Sequence, residues 1–257
     1  MIGFLLIDKP LGLTSNDVVA RVRRLTGVQR VGHAGTLDPL ATGLLIVGVG
    51  REATREFPRL VGLPKTYLST FILGARSTTD DAEGEKISDP VPSLTEEIVD
   101  QGLLQLTGEI TQTPPQFSAV KIKGKPAYAQ ARKGIEVVIK PRQVTVSTFK
   151  RIGSIRPQAD GTFEIDVSID CSSGTYIRSL ARDLGRILGG GGYVKTLRRT
   201  SIGPFSAQEA IPLPAGISHT QPRGMPLGHM SDPALPAIPA LPLLPVPGLL
   251  ALLPPPC

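Results

Sequence analysis

Leu44-Leu45-Ile46-Val47-Gly48-Val49 is an unbroken apolar run of strand length. Because no position in it faces water, it predicts a central strand buried on both faces, and therefore a sheet covered by further structure on each side. The chain has 257 residues, 40% of them hydrophobic, which is enough to surround such a strand with a packed core.

Directly before this run lies Gly32-His33-Ala34-Gly35-Thr36-Leu37-Asp38-Pro39-Leu40-Ala41-Thr42-Gly43, a glycine-rich loop hanging from the predicted strand. Asp38 is the sole acidic residue between Asp17 and Glu52, whereas Arg21, Arg23, Arg24, Arg30, His33 and Arg51 share the stretch. A lone carboxylate in a positive field stays ionised and suits the role of nucleophile or base. Pro39 holds Asp38 away from helical geometry, and Gly35 and Gly43 allow a tight turn or close approach to a substrate. An Asp before proline also caps turns, so the loop by itself leaves both roles open.

Residues 15–26 read as a helix, with Ser15 as N-cap, Val18, Val22 and Leu25 on the inner face and Gly27 as the stop. Lys65 to Leu73 reads as a strand, and Ser93-x-x-Glu96 as a capping box opening a helix that ends near Leu106. Phe163, Ile165, Val167 and Ile169 alternate with polar residues, which predicts a strand with one face in the core. Ile177, Leu180, Ala181, Leu184, Ile187 and Leu188 keep helical spacing, with Arg178, Arg182 and Arg186 one turn apart on the opposite stripe. Taken alone, that stripe reads as solvated surface. From residue 113 to 134, lysines and arginines mix with Phe117 and Tyr128, which suits either a nucleic-acid contact or a solvated loop. After about Pro212 prolines crowd in, and Arg223 and Asp232 are the last charged side chains, so a disordered or loosely collected apolar tail is expected.

The net charge of +6 favours an anionic partner. Cys171 and Cys257 form neither a disulfide framework nor a metal-ligand pair, so a reducing compartment, the cytoplasm, is expected. The N-terminal apolar run is broken at once by Asp8 and Lys9, which makes it a poor signal peptide, and no clean membrane-spanning helix is expected. His219 and His229 lie in the tail, leaving His33 without a His or Cys partner for a metal, and no nucleophile elbow or dinucleotide fingerprint is present. What remains is chemistry by a carboxylate without a metal.

The run from Gly32 to Gly43 meets in full the motif Gly-His-x-Gly-x-Leu-Asp-Pro-x-Ala-x-Gly of the bacterial tRNA pseudouridine synthase B (TruB) family, which the chain resembles. The similarity begins at Leu6-Ile7-Asp8-Lys9-Pro10-x-Gly12-x-Thr14-Ser15. It continues through Lys65-Thr66-Tyr67, Thr79-Asp80-Asp81-Ala82-Glu83-Gly84 and Gln112-Thr113-Pro114-Pro115-x-Phe117-Ser118-Ala119-Val120-Lys121. It resumes at Cys171-Ser172-Ser173-Gly174-Thr175-Tyr176-Ile177-Arg178-Ser179-Leu180 and at Leu197-Arg198-Arg199-Thr200-x-Ile202-Gly203-Pro204-Phe205. Separate blocks in one order are far more specific than any single motif.

The resemblance implies an α+β pseudouridine synthase fold, a mixed and mainly antiparallel sheet flanked by helices, over residues 1–210. The residues near 113–134 are expected to form a basic RNA-contacting excursion, and the chain departs from the family at 211–257, a Pro/Leu-rich tail with no recognisable PUA domain. It implies cofactor-free isomerisation of the T-loop uridine of tRNA, conventionally position 55, by glycosidic cleavage, rotation of the uracil and rejoining through C5. Asp38 would be the catalytic carboxylate, Arg178 its partner and Tyr67 the aromatic that stacks on the target base. His33 would fill the space of the flipped base, and Asp81, Lys121 and Leu197 would line or close the pocket. Whether Asp38 attacks the base, attacks the sugar or removes a sugar proton stays open. A tRNA T-arm partner and a monomer are expected. The rivals are a non-catalytic RNA-binding protein on the same scaffold and a nucleoside glycosidase, which would prefer a second carboxylate near Asp38.

Overall fold

The computed structural model describes residues 2–118, 120–122, 124–131, 134–135, 137–213 and 243–253. At its centre is a 10-stranded sheet whose main path runs Ile211–Pro212, Gly3–Lys9, Ala41–Val49, Gly192–Ile202, Lys65–Leu73, Phe163–Cys171, Arg142–Pro157 and Gly108–Gln112. Val31–His33 and Phe205–Ser206 pair off this path, against 41–49 and 192–202 respectively. The pairings are antiparallel except at 192–202 with 41–49 and at 3–9 with 211–212. The expected mixed, mainly antiparallel sheet is therefore present.

The apolar run at 44–49 lies inside the longer strand Ala41–Val49 and is buried on both sides. Leu45, Val47 and Val49 enter one core with Leu5 and Ile7, while Leu44 and Ile46 enter a second with Phe4 and Leu6. The first core is closed by the helices Ser15–Thr26, Glu96–Gln105 and Ile177–Ile187, through Val18, Val22, Val99, Leu103, Leu180 and Leu184. Near its middle Phe71 meets Phe149 edge to face, with ring centres 6.0 Å apart. The second core packs Ala53, Leu60 and Phe205 on the opposite face.

Two caps differ from the sequence expectation. Thr14, not Ser15, caps the first helix, accepting from the Asp17 backbone N–H while Asp17 closes the box on the Thr14 N–H. Thr95, not Ser93, caps the helix Glu96–Gln105 by accepting from Ile98 N–H. In both places neighbouring hydroxyls compete for one cap, and the choice falls to the residue whose backbone is extended where the helix begins.

Within the tail, residues 214–242 lie outside the described residues, but 243–253 take a definite form. Phe4 and Leu244 exchange backbone hydrogen bonds of 2.9 Å each way. Val246–Ala251 is a short helix, with Pro247 near its start where no N–H is needed, and Leu249 and Leu253 join the second core. The apolar appendage is thus held here by side-chain burial, which a period-based reading of so short a segment does not register.

Gly43 allows the parallel join on which the site depends. Its φ is +97°, and a Cβ there would stand 2.2 Å from the Arg199 carbonyl oxygen. Only glycine admits the two backbones at this approach.

Replacing Phe71 by Ala should cost about 3–5 kcal/mol in urea unfolding with little change in the slope. Replacing Thr14 by Ala should cost about 1 kcal/mol.

Candidate active site

Chain pairing shortens the glycine-rich loop at both ends, since His33 belongs to the strand Val31–His33 and Ala41 to Gly43 open the next strand. What remains, residues 34–40, is held through its backbone. The Ser15 hydroxyl donates to Leu37 O at 3.1 Å and accepts from Leu37 N–H at 2.8 Å. Pro39 O accepts from Gly12 N–H at 2.9 Å, and Asp38 O accepts from Ala41 N–H at 3.0 Å. The Asp38 side chain, 34% exposed, is left free to face a cleft of about 500 Å³, a size suited to a small ligand or a single nucleotide.

Arg178, at the start of the helix Ile177–Ile187, is 4% exposed, so the solvated-stripe reading fails at this position. Its Nε lies 2.9 Å from Asp38 Oδ2, with the N–H directed off the line to the oxygen, so the contact is an ion pair more than an aligned hydrogen bond. The other nitrogens donate to Thr79 O at 3.0 Å and Phe117 O at 2.9 Å, and Nη1 lies 3.5 Å from Asp81 Oδ2. Arg182 follows one turn on, pairing with Asp80 at 2.8 Å and donating to Thr113 O at 2.8 Å. The last of the stripe, Arg186, is 71% exposed. Burial therefore grades along the stripe from the cleft outward.

Of the residues expected at the site, His33, Asp38, Tyr67, Arg178 and Leu197 all line the cleft. Asp81 does not line it. It is buried behind Arg178, accepting from the Thr79 hydroxyl and from Glu83 N–H, so it acts on the cleft only through that arginine. The side chains of Lys121, Lys125 and Tyr128, and residues Lys123, Arg132 and Lys133, lie outside the described residues. Arg23, Arg24, Arg30 and Arg51, sequence neighbours of Asp38, are exposed and do not line the cleft. Arg23 donates instead to Val31 O, and Arg30 to Thr54 Oγ1.

The cations beneath the cleft come from elsewhere in the chain. Lys9 is wholly buried, its ammonium donating to Leu13 O at 2.7 Å, Pro10 O at 3.0 Å and Pro39 O at 3.4 Å. Lys65 is 6% exposed and donates to Val61 O at 2.6 Å and Leu63 O at 2.5 Å. Burial first, helped by the Arg199 charge, brings each lysine down to about 8, with Asp38 pulling Lys9 the other way. Arg199 is 1% exposed and bonds Leu44 O and Gly35 O. Burial pushes the Tyr67 phenol up, against the opposing pull of Arg199. His33 is pushed down by burial and then by Arg199, so its ring is neutral at pH 7. Glu83 is pushed up by partial burial and by Asp81 and Asp38. Lys9, Lys65 and Arg199 belong to the blocks quoted above, but nothing in their local pattern distinguishes a buried cation from a surface one.

Opposite the loop, the Arg142 guanidinium stacks over the Tyr176 ring at 4.6 Å and donates to Gly174 O. Gln112 and Tyr176 bind each other reciprocally, Gln112 Nε2 to Tyr176 O at 3.1 Å and Tyr176 N–H to Gln112 Oε1 at 2.7 Å. Among the described residues no group of three or more His, Cys, Asp or Glu is placed to hold a metal ion. Among the same residues no helix is long and apolar enough to cross a membrane.

A family model described as TruB family pseudouridylate synthase (N terminal domain) matches residues 23–177, and one described as tRNA pseudouridylate synthase B C-terminal domain matches 178–214. The chain belongs to the TruB family. It is 53% identical over 214 residues to the tRNA pseudouridine synthase B of Thermobifida fusca strain YX, covering 82% of this chain and 73% of that protein. It is 52% identical over 212 residues to the protein of the same name from Leifsonia xyli subsp. xyli, covering 81% and 69%. Among solved structures it is similar to a chain of a Cbf5-Nop10-Gar1 complex, with a TM-score of 0.61 and 28% identity. That match covers 82% of this chain and 52% of the other, so this TruB family chain spans about half the length of that relative.

A lysine brought down from 10.5 to about 8 in the folded state holds fewer protons there than in the unfolded chain between those values, so its contribution to stability rises with pH across that window. The unfolding free energy of the wild type relative to Lys65→Met should therefore be flat below about pH 7 and climb between about 8 and 10.5. Urea melts at closely spaced pH values measure it.

Proposed function

We propose that this TruB family chain converts a uridine of tRNA into pseudouridine, and that its target is the T-loop uridine at position 55. The observation that carries the reading is the ion pair between Asp38 and the buried Arg178 on the wall of a cleft floored by Tyr67 and Leu197. In the reaction the bond from the sugar C1′ to N1 breaks, the uracil turns, a bond from C1′ to C5 forms, the C5 proton departs and N1 takes up a proton. No atom is gained or lost overall, so the site needs no co-substrate. It needs a carboxylate held at the sugar–base junction, a surface that keeps the loose base in place, and exclusion of water.

Asp38 supplies the carboxylate, and Arg178 orients it while the surrounding burial strengthens their attraction. Tyr67 offers its ring to the base, and Leu197 closes the apolar side. A base in a folded RNA loop has to be extruded before it reaches this depth. The neutral His33 ring, at the cleft edge of its strand, is suited to enter the vacated stack without bringing a charge there. Residues 1–210 make up the catalytic unit in this reading, and the 113–134 excursion together with the Arg142–Tyr176 wall contacts the RNA backbone. Phosphate contacts by these cations would make affinity fall with salt, while loop shape supplies selectivity.

Asp38→Asn should lower pseudouridine formation on an unmodified tRNA transcript by more than about 10³-fold, with transcript binding within a few-fold of wild type. Mapping pseudouridine at single-nucleotide resolution locates the target. Turnover unchanged by the substitution, or release of free uracil by the wild type, would overturn the isomerase reading.

A further inference from the structure

Arg199 has the largest of the wholly buried side chains, and its hydrogen-bond partners among the described residues are uncharged. A guanidinium buried at the cleft wall with carbonyls for company is costly, and an apolar side chain of similar volume would be cheaper at a site needing only to be filled. Its position accounts for the expense. Along the sheet, Arg199 is register-paired with Gly43 of the parallel strand on one side and with Tyr67 of the antiparallel strand on the other. It therefore sits at the seam between the strand that continues the Asp38 loop and the strand that carries the stacking aromatic.

The side chain spans the same seam. Its Nη2 donates to Gly35 O at 3.1 Å where the loop departs, and its Nε donates to Leu44 O at 2.8 Å beyond the point where the loop rejoins the strand. Across the antiparallel pairing it stands beside Tyr67, whose phenol feels the Arg199 charge. A planar, rigid fork fixes the distances among whatever it binds, which a lysine ammonium on a flexible stem does not.

We propose that Arg199 is a positioning residue that clamps both ends of the Asp38 loop and ties them to Tyr67, so that carboxylate and stacking ring meet the substrate at one fixed spacing. The role rests on the isomerase reading above and adds to it a residue outside the Asp38–Arg178 pair. The reach of its charge fits this central place, since Arg199 is felt by Lys9 and Lys65, by His33 and by Tyr67. Displacement of reacting groups by about 1 Å costs on the order of 10²-fold in rate, and loss of the clamp frees two groups at once.

The test uses Arg199→Met and Arg199→Lys in the full chain, with single-turnover pseudouridine formation on a T-arm RNA at saturating protein and the rate expressed per bound complex. A residue that merely supports folding would reduce the fraction of protein that binds RNA but leave that rate alone. The expected result is a fall of about 10²-fold per bound complex in both variants, with RNA affinity within threefold of wild type. If Arg199→Met does not fold, Arg199→Lys, which keeps length and charge, decides. A rate within threefold of wild type in Arg199→Lys overturns the proposal, because charge without the fork would then suffice. So does a loss confined to affinity. If the wild type itself forms no pseudouridine, the isomerase reading has failed, a result distinct from a variant that turns over normally beside an active wild type.

Discussion

A guanidinium buried to 4% exposure needs carboxylates and carbonyls around it, and Arg178 finds them in segments far apart in the chain. Asp38 comes from the loop after the short Val31–His33 strand, Asp81 and Thr79 from the turn after Ala75–Ser77, and Phe117 from the base of the excursion. Two carboxylates flank the one guanidinium, so its charge stays compensated if either is lost, whereas removing Arg178 would leave the buried Asp81 without its ion pair. The helix Ile177–Ile187 is thus bound to three separate segments through the residue that also faces the reacting carboxylate. Arg182 repeats the arrangement one turn later with Asp80 and Thr113 O. Fold and site share these contacts, and neither can shift without the other.

The loop that carries Asp38 is rigid for a different reason. Ser15, Lys9 and Gly12 occupy its backbone groups at Leu37 and Pro39. A carboxylate at the end of such a loop arrives at the substrate already oriented, and little is lost to reorganisation during reaction. The cost appears beneath the cleft, where Lys9 and Lys65 are held among carbonyls and brought down to about 8. These groups destabilise the folded chain at neutral pH while placing positive charge under a pocket meant for RNA. Strain of this kind at a working site is offset by the two apolar cores on either side of the sheet.

Much of the architecture was legible from local pattern. Alternation marked the strand Phe163–Cys171, and the apolar run marked a strand buried on both faces. Where local signals tied, tertiary contacts decided. Thr14 and Ser15 are both good caps, and Ser15 was needed on Leu37. The short helix near the chain end has no period to read, and burial of Leu249 and Leu253 makes it.

By itself the sequence determined which residues could do chemistry: one carboxylate on a glycine-rich loop, few histidines, no metal-ligand pair, and blocks ordered as in the TruB family. It also pointed to the arginines beside Asp38 in the chain, and there it misled, since Arg23, Arg24, Arg30 and Arg51 are exposed and do not line the cleft. Only the tertiary structure decided which cations lie beneath the carboxylate. Arg198 and Arg199 are adjacent, yet one pairs with Asp8 at the surface and the other is buried. Irregularities in the strand at 194–196 and 199–201 reset its alternation. The physical reason is that a strand's period assigns residues to two faces without naming what either face meets. That is set by strand order, here a parallel join between 41–49 and 192–202 formed by segments some 155 positions apart.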